Sequence, residues 1–213
     1  MCNLYDIGRT RHQSRDEWGQ AVAGVIRDLE KPFGIRRTDA GVVASLQDGE
    51  PVAETMRWGF ERPYNAAVNN ARSEKLNGTW SKLWREKRRC LIPVSTFYEW
   101  SGPAGNKQTF AFENRDDDLG LWIAGIWEEG EAGRSFSMLT SAANEQIQTI
   151  HDRMPALLAA EQFLEFLEGE DPVGLLGTWS DPLSILRCEN PLKHLKAHTG
   201  PVPIDFLPGL GDE

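Results

Sequence analysis

Seven stretches of this chain read as β-strands: GVVASLQ (41–47), PVAETMRW (51–58), CLIPV (90–94), TFYEW (96–100), QTFAFEN (108–114), LGLWIAGIWE (119–128) and RSFSMLTS (134–141). Each is rich in β-branched or aromatic residues and bounded by Gly, Pro, Asp or Asn. Strands follow one another with only occasional helices and no strict β–α alternation, so pairing is mostly antiparallel. The expected class is α+β, with a β-rich core curling toward a barrel and helices at its flanks.

Three segments carry the helical pattern. SRDEWGQAVAGVIRDLE (14–30) places Trp18, Val22, Val25 and Leu29 at helical spacing behind a capping box of Ser14 and Glu17. TWSKLWREK (79–87) and AEQFLEFLEG (160–169) are shorter. The length of 213 residues suits one domain spanning 1–213, and in the Gly/Pro/Asp-rich ending the residues from about 204 to 213 read as a tail.

A net charge of −9 excludes a protein coated in positive potential. The charge is uneven, however. Residues 1–90 carry 16 Lys and Arg against 12 Asp and Glu, while 91–213 carry 7 against 20. A basic surface can therefore come only from the first half, where WSKLWREKRRC (80–90) gathers Lys82, Arg85, Lys87, Arg88 and Arg89 between tryptophans. Such a run also serves as a plain solvated helix face. The longest apolar run, LWIAGIW (121–127), is too short to span a bilayer, and no signal-like segment opens the chain. No membrane partner is expected, and the expected compartment is the cytoplasm. Cys2, Cys90 and Cys188 cannot all pair, which suits free thiols in a reducing compartment. Cys188, His194 and His198 match no zinc spacing, and no phosphate-cradling glycine loop, GxSxG elbow or HExxH occurs. Neither metal nor cofactor is expected.

Against this scaffold, four polar features stand out. The opening MCNLY puts a small residue behind Met1. Removal of Met1 would leave Cys2 with an α-amine and a thiol on adjacent carbons. That amine has an ordinary pKa near ~7.7, against ~10.4 for lysine, so roughly a sixth is uncharged at neutral pH. Glu99 lies between Tyr98 and Trp100 in an apolar strand, where it either points to solvent or is desolvated and becomes a proton shuttle near neutral pH. In TSAANEQIQTIHDRMP (140–155), His151 ends a helix-like stretch that Met154-Pro155 stops, and histidine titrates near physiological pH. In VNNARSEKL (68–76), Asn70 and Arg72 sit in a stretch without periodicity that reads as a loop. Each feature alone has an ordinary structural explanation.

Together and in order, Cys2, RWGF, NNARSEKL, RRCLIPVSTFYEW and TSAANEQIQTIHDRMP resemble the SRAP family, whose name denotes SOS-response-associated peptidase and whose members are abasic-site processing proteins. The resemblance runs from residue 2 to about residue 190. It implies an α+β fold around a barrel-like core and a monomer acting on single-stranded DNA that contains abasic sites. By motif position it implies that Cys2 forms a thiazolidine crosslink with the ring-opened abasic aldehyde. Asn70 would hold the Cys2 end, Glu99 would shuttle protons at the amine, and His151 would assist opening of the sugar ring. Arg72 and Trp58 match positions that grip the strand and Thr140 matches a pocket position; apart from the resemblance, Arg9, Arg11 and the 82–89 cluster with Arg85, Arg88 and Arg89 offer further phosphate contacts. The chain departs from the family in having Leu4 where an early arginine is common. In GFERPYN, the aromatic usual after the Trp-Gly segment and its proline reads as missing. A cysteine hydrolase using the α-amine as base and a non-catalytic single-strand-binding module are the competing functions.

Overall fold

Alternating apolar and polar residues make strands here at all seven expected places, and seven shorter strands join them. The structure is a computed structural model that describes residues 2–8, 16–115, 120–131, 133–177 and 179–195. In chain order the elements are β1 (Leu4–Asp6), α1 (Glu17–Asp28), β2 (Ile35–Arg36), β3 (Ala40–Gln47), β4 (Glu50–Trp58), β5 (Phe60–Arg62), β6 (Asn65–Val68), β7 (Asn70–Arg72), α2 (Ser81–Arg85), β8 (Arg89–Val94), β9 (Thr96–Ser101), β10 (Gln108–Asn114), β11 (Leu121–Gly130), β12 (Gly133–Ala142), β13 (Arg153–Pro155), α3 (Phe163–Glu168), β14 (Leu183–Cys188) and α4 (Pro191–Leu195). The expected tail, 204–213, lies outside the described residues.

Five strands close a barrel: β11 pairs with β8, β8 with β3, β3 with β4, β4 with β12, and β12 back with β11. Closure removes the unpaired edges that an open sheet presents. All these pairings are antiparallel except that of β4 with β12, where Trp58 lies opposite Phe136. Small residues let the wall close around bulky neighbours. A Cβ at Gly41 would collide with the Tyr5 hydroxyl, and one at Gly125 would come within 2.9 Å of Cys90 Sγ. A second, wholly antiparallel sheet runs in the order β14-β10-β9-β1-β2, entered directly from the barrel because β9 follows β8 after the single residue Ser95. Phe97 and Phe112 stack there at 4.8 Å. The N-terminal strand β1 is thus clamped between β9 and β2.

The barrel is splayed at one end. Beyond Phe136 the strand β4 leaves β12 and β7 takes its place, pairing Met138–Thr140 with Asn70–Arg72. Beyond Met138 the strand β11 leaves the other side, and β13 pairs with Thr140–Ala142. Two expectations change here. NNARSEKL is not an irregular loop: Asn70–Arg72 is strand, and Ser73–Lys75 is a 3-10 turn. The stretch before His151 is a run of turns rather than a helix, and Arg153–Pro155 pairs as strand. The missing periodicity of both reflects backbone bonds made to a distant strand.

Helix α1 is capped by Asp16, whose carboxylate accepts from Gly19 N at 2.6 Å, so the expected capping box is corrected; Ser14 lies outside the described residues. The helix and its C-cap bury Trp18, Val22 and Leu29, as the spacing predicts, while Ile26 rather than the half-buried Val25 completes the apolar face. No helix among the described residues is long and apolar enough to cross a membrane.

Candidate functional site

At the open end, two adjacent asparagines grip the N-terminal segment. Asn69 Nδ2 and Asn70 Nδ2 donate to the carbonyl of Cys2 at 3.0 and 2.8 Å, and Asn69 Nδ2 also donates to Asn3 Oδ1 at 3.1 Å. Both asparagines are fixed by the barrel. Asn70 stands in register with Met138, and the Asn69 carbonyl accepts from Met138 N at 3.1 Å and from Trp58 Nε1 at 2.9 Å. Asn70 was singled out from the sequence and Asn69 was not, although the NN doublet was the available signal. Asn70 Oδ1 is buried without a hydrogen-bond partner among the described residues, which a donor on a bound ligand would relieve.

Of the two placements open to Glu99, the inward one is observed: the residue is 1% exposed. Burial pushes its carboxyl above the ordinary glutamate range, and the neighbouring His151 acts against that shift. Burial, with the Glu99 charge added, likewise pushes the Cys2 thiol up to about 12, and Sγ donates to the Leu4 carbonyl at 3.3 Å. Glu99 is therefore coupled electrostatically to both Cys2 and His151. His151 comes from the turn before β13, and its Nδ1 accepts the backbone N–H of Arg153 at 3.0 Å.

Of the residues expected to touch DNA, Arg9 and Arg11 lie outside the described residues, and the others fall into three groups. Arg72 is exposed on β7 opposite Thr140, at the open end. Thr140 is 1% exposed, its hydroxyl accepting from Arg153 Nη2 at 3.2 Å. Trp58 is fully buried with its indole N–H spent on Asn69, so it braces the asparagines and cannot stack on a strand. The 80–90 cluster faces elsewhere. Arg85 is exposed on α2, and Arg88 stacks over Trp127 at 5.3 Å and pairs with Glu86 at 2.8 Å. Arg89 is 1% exposed and donates to carbonyls at the end of α3, which removes it from any phosphate-binding surface. The run read as one charged face because the strand β8 begins inside it, turning its last arginine inward.

The GFERPYN segment carries an aromatic of its own beside the proline. Tyr64 follows Pro63 at the tip of the β5–β6 hairpin and is 79% exposed. Arg57 anchors that hairpin by donating to the carbonyls of Gly59 and Ala66. The hairpin leads directly into Asn69 and Asn70, so an exposed ring is offered close along the chain to the Cys2 grip.

Residues 1–185 match the family described as SOS response associated peptidase (SRAP). The chain belongs to this family. Among the relatives of this SRAP protein is "Abasic site processing protein YedK" of Escherichia coli, 28% identical over 187 residues, which covers 80% of this chain and 81% of YedK. Others are an abasic site processing protein of Saccharomyces cerevisiae, 31% identical over 48% of this chain and 31% of its own length, and "Abasic site processing protein HMCES" of Gallus gallus, 27% identical over 60% and 49%. The chain thus spans about a third to a half of the yeast and chicken proteins. Solved structures of similar fold include proteins of Bordetella bronchiseptica (TM-score 0.66, 23% identity, 89% of this chain and 100% of that one) and Bacteroides thetaiotaomicron (TM-score 0.69, 16% identity, 91% and 94%). The α+β barrel architecture is that of these SRAP-like folds.

Proposed function

We propose that this SRAP protein binds abasic sites in single-stranded DNA and traps them on Cys2 as a thiazolidine once Met1 is removed. The observation that carries this reading is the double amide grip on the Cys2 carbonyl beside a buried carboxylate. An N-terminal residue held by its own carbonyl presents its amine and side chain in a fixed place. A hydrolase that uses the same α-amine as base would also profit from this hold, so the two readings part on the product, a DNA adduct against peptide turnover.

The chemistry follows from the protonation states. With the thiol pushed up to about 12, the amine attacks first and adds to the C1′ aldehyde of the ring-opened sugar. Loss of one water from the carbinolamine gives an iminium, with the Glu99 carboxyl, raised toward neutrality by burial, giving and taking the protons. The thiol then adds to the iminium carbon and gives up its proton, closing a five-membered ring. The balance is aldehyde plus aminothiol to thiazolidine plus water. Holding both groups on one residue makes the second step intramolecular. His151 donates a proton to the sugar ring oxygen as the furanose opens, and Asn70 Oδ1 accepts from the adduct. Arg72 holds a phosphate at the open end, with Tyr64 as a stacking surface for a base.

The test is Cys2→Ala, which keeps the amine and deletes the thiol. Processed wild type should give a heat-stable band with an abasic single strand on a denaturing gel. The variant should give one only after borohydride reduction of its imine. A band of equal stability from Cys2→Ala without reductant would sink the thiazolidine. Peptide turnover with no DNA band would establish the hydrolase, and salt-sensitive shifts with no covalent band a binding module.

A further inference from the structure

Arg153 joins three parts of the open end. Its guanidinium grips both oxygens of Glu74, with Nη2 to Oε2 at 2.9 Å, and Nη2 also donates to the carbonyl of Thr140 at 2.5 Å and to its hydroxyl at 3.2 Å. Its backbone N–H meets Nδ1 of His151 at 3.0 Å. One residue thus links the turn after β7, the end of β12 and the imidazole. Arg153 is 8% exposed, whereas the Glu74 side chain is 55% exposed. The pairing of β13 with β12 needs no cation, since it runs through Thr140–Ala142 and Arg153–Pro155. Burying a guanidinium for strand pairing alone would be a poor bargain.

We propose that Glu74 and Arg153 are positioning residues for His151: the ion pair locks residue 153 so that its N–H points at Nδ1, leaving the proton of the neutral ring on Nε2. The part that concerns catalysis rests on the role of His151 given above. A neutral imidazole has one donor and one acceptor nitrogen, and a backbone N–H can only donate. The opposite tautomer would orphan a part-buried N–H, which proteins avoid more strictly than an under-used carbonyl. The same residue serves the ring when it works. If a proton enters at Nδ1 and another leaves at Nε2 for the sugar oxygen, the ring is left as the Nδ1–H form. That hydrogen meets the Arg153 carbonyl at 3.1 Å and Asp152 Oδ1 at 3.0 Å, but the Arg153 N–H then loses its acceptor, which returns the ring to its resting tautomer after the transfer. Asp152 is 85% exposed, which places proton entry on the solvent side.

The experiment is imidazole ¹⁵N spectroscopy of the processed, labelled protein at a pH of about 8.5, where an ordinary histidine is neutral. Wild-type His151 should show a protonated Nε2 and an unprotonated Nδ1. Glu74→Gln, at a half-exposed position that tolerates the change, and Arg153→Lys, which keeps charge but loses the two-pronged grip, should both shift the ring toward a mixture. A protonated Nδ1 in wild type, or wild-type spectra from both variants, would overturn the positioning. With abasic single strand, Glu74→Gln should slow adduct formation about 10-fold at unchanged strand affinity. An unchanged rate beside an altered spectrum would overturn its catalytic consequence. Should wild type form no adduct at all, the proposed function fails and the spectra still decide the positioning.

Discussion

Two arginines lie inside this molecule, at opposite ends of the barrel, and they are held by different kinds of group. They are the buried arginines among the described residues: Arg89 donates to the carbonyls of Phe166 at 3.0 Å, Gly169 at 2.7 Å and Trp84 at 3.2 Å, with its guanidinium 4.2 Å from the centre of the Trp84 ring. Those first two carbonyls close the C-terminal end of α3, where the helix dipole favours a cation. Arg153 is held instead by a half-exposed carboxylate and by Thr140. Backbone carbonyls of a packed helix end cannot move aside, so Arg89 is fixed for good. A carboxylate open to solvent can let go. The closed end is built for stability, and the open end, where strands part to admit β7 and β13, is built around groups that exchange protons.

If that division is right, substitutions at the two ends should fail in different assays. Glu99→Gln and His151→Ala should each slow adduct formation by about 10²- to 10⁴-fold, the usual cost of a positioned acid or base, while single-strand affinity stays near wild type. Rapid-quench gels on an abasic strand measure this, and a wild-type rate from either variant removes that residue from the mechanism. Arg89→Met should do the reverse. Carbonyls left without their donor cost on the order of 2–4 kcal/mol, or a fall in Tm of roughly 5–15 °C for a chain of this size, with an unchanged adduct rate at low temperature. A Tm within a degree of wild type would mean that the end of α3 is satisfied by other donors, and the contrast between the ends would lose one side.

The same division explains what the sequence made legible. The closed barrel was readable because its strands run for six to ten residues, rich in β-branched and aromatic side chains and bounded by turn residues, as in CLIPV, LGLWIAGIWE and RSFSMLTS. The open end was not, because β7 and β13 are three residues each and owe their conformation to β12 rather than to their own side chains. Its chemistry was nevertheless visible through Cys2, Asn70, Glu99 and His151, as polar residues in places that pattern alone does not require. Arg89 misled for the converse reason: within the run REKRR (85–89), nothing local marks the one arginine that a new strand turns inward. Tyr64 was overlooked because a tyrosine after a proline reads as an ordinary turn until its exposure is seen.

The smallest effect separates the ends most cleanly, because it depends on pH rather than on loss of a contact. Burial raises the Glu99 carboxyl in the folded protein above the ~4.3 of an unfolded glutamate. Between those two values the folded state binds more protons than the unfolded one, so Glu99 makes stability fall as pH rises through that window. Below it the carboxyl is neutral in both states and contributes nothing. Glu99→Gln has no proton to lose, so its stability relative to wild type should rise from acid to neutral pH. Arg89 stays charged throughout, and the deficit of Arg89→Met should be the same at every pH. Denaturant midpoints of the three proteins across this range provide the measurement. If wild type instead gains on Glu99→Gln as pH rises, the native state stabilises the Glu99 charge. The open end would then hold a structural ion pair like any other, and a carboxyl kept near neutrality for proton transfer would no longer be part of it.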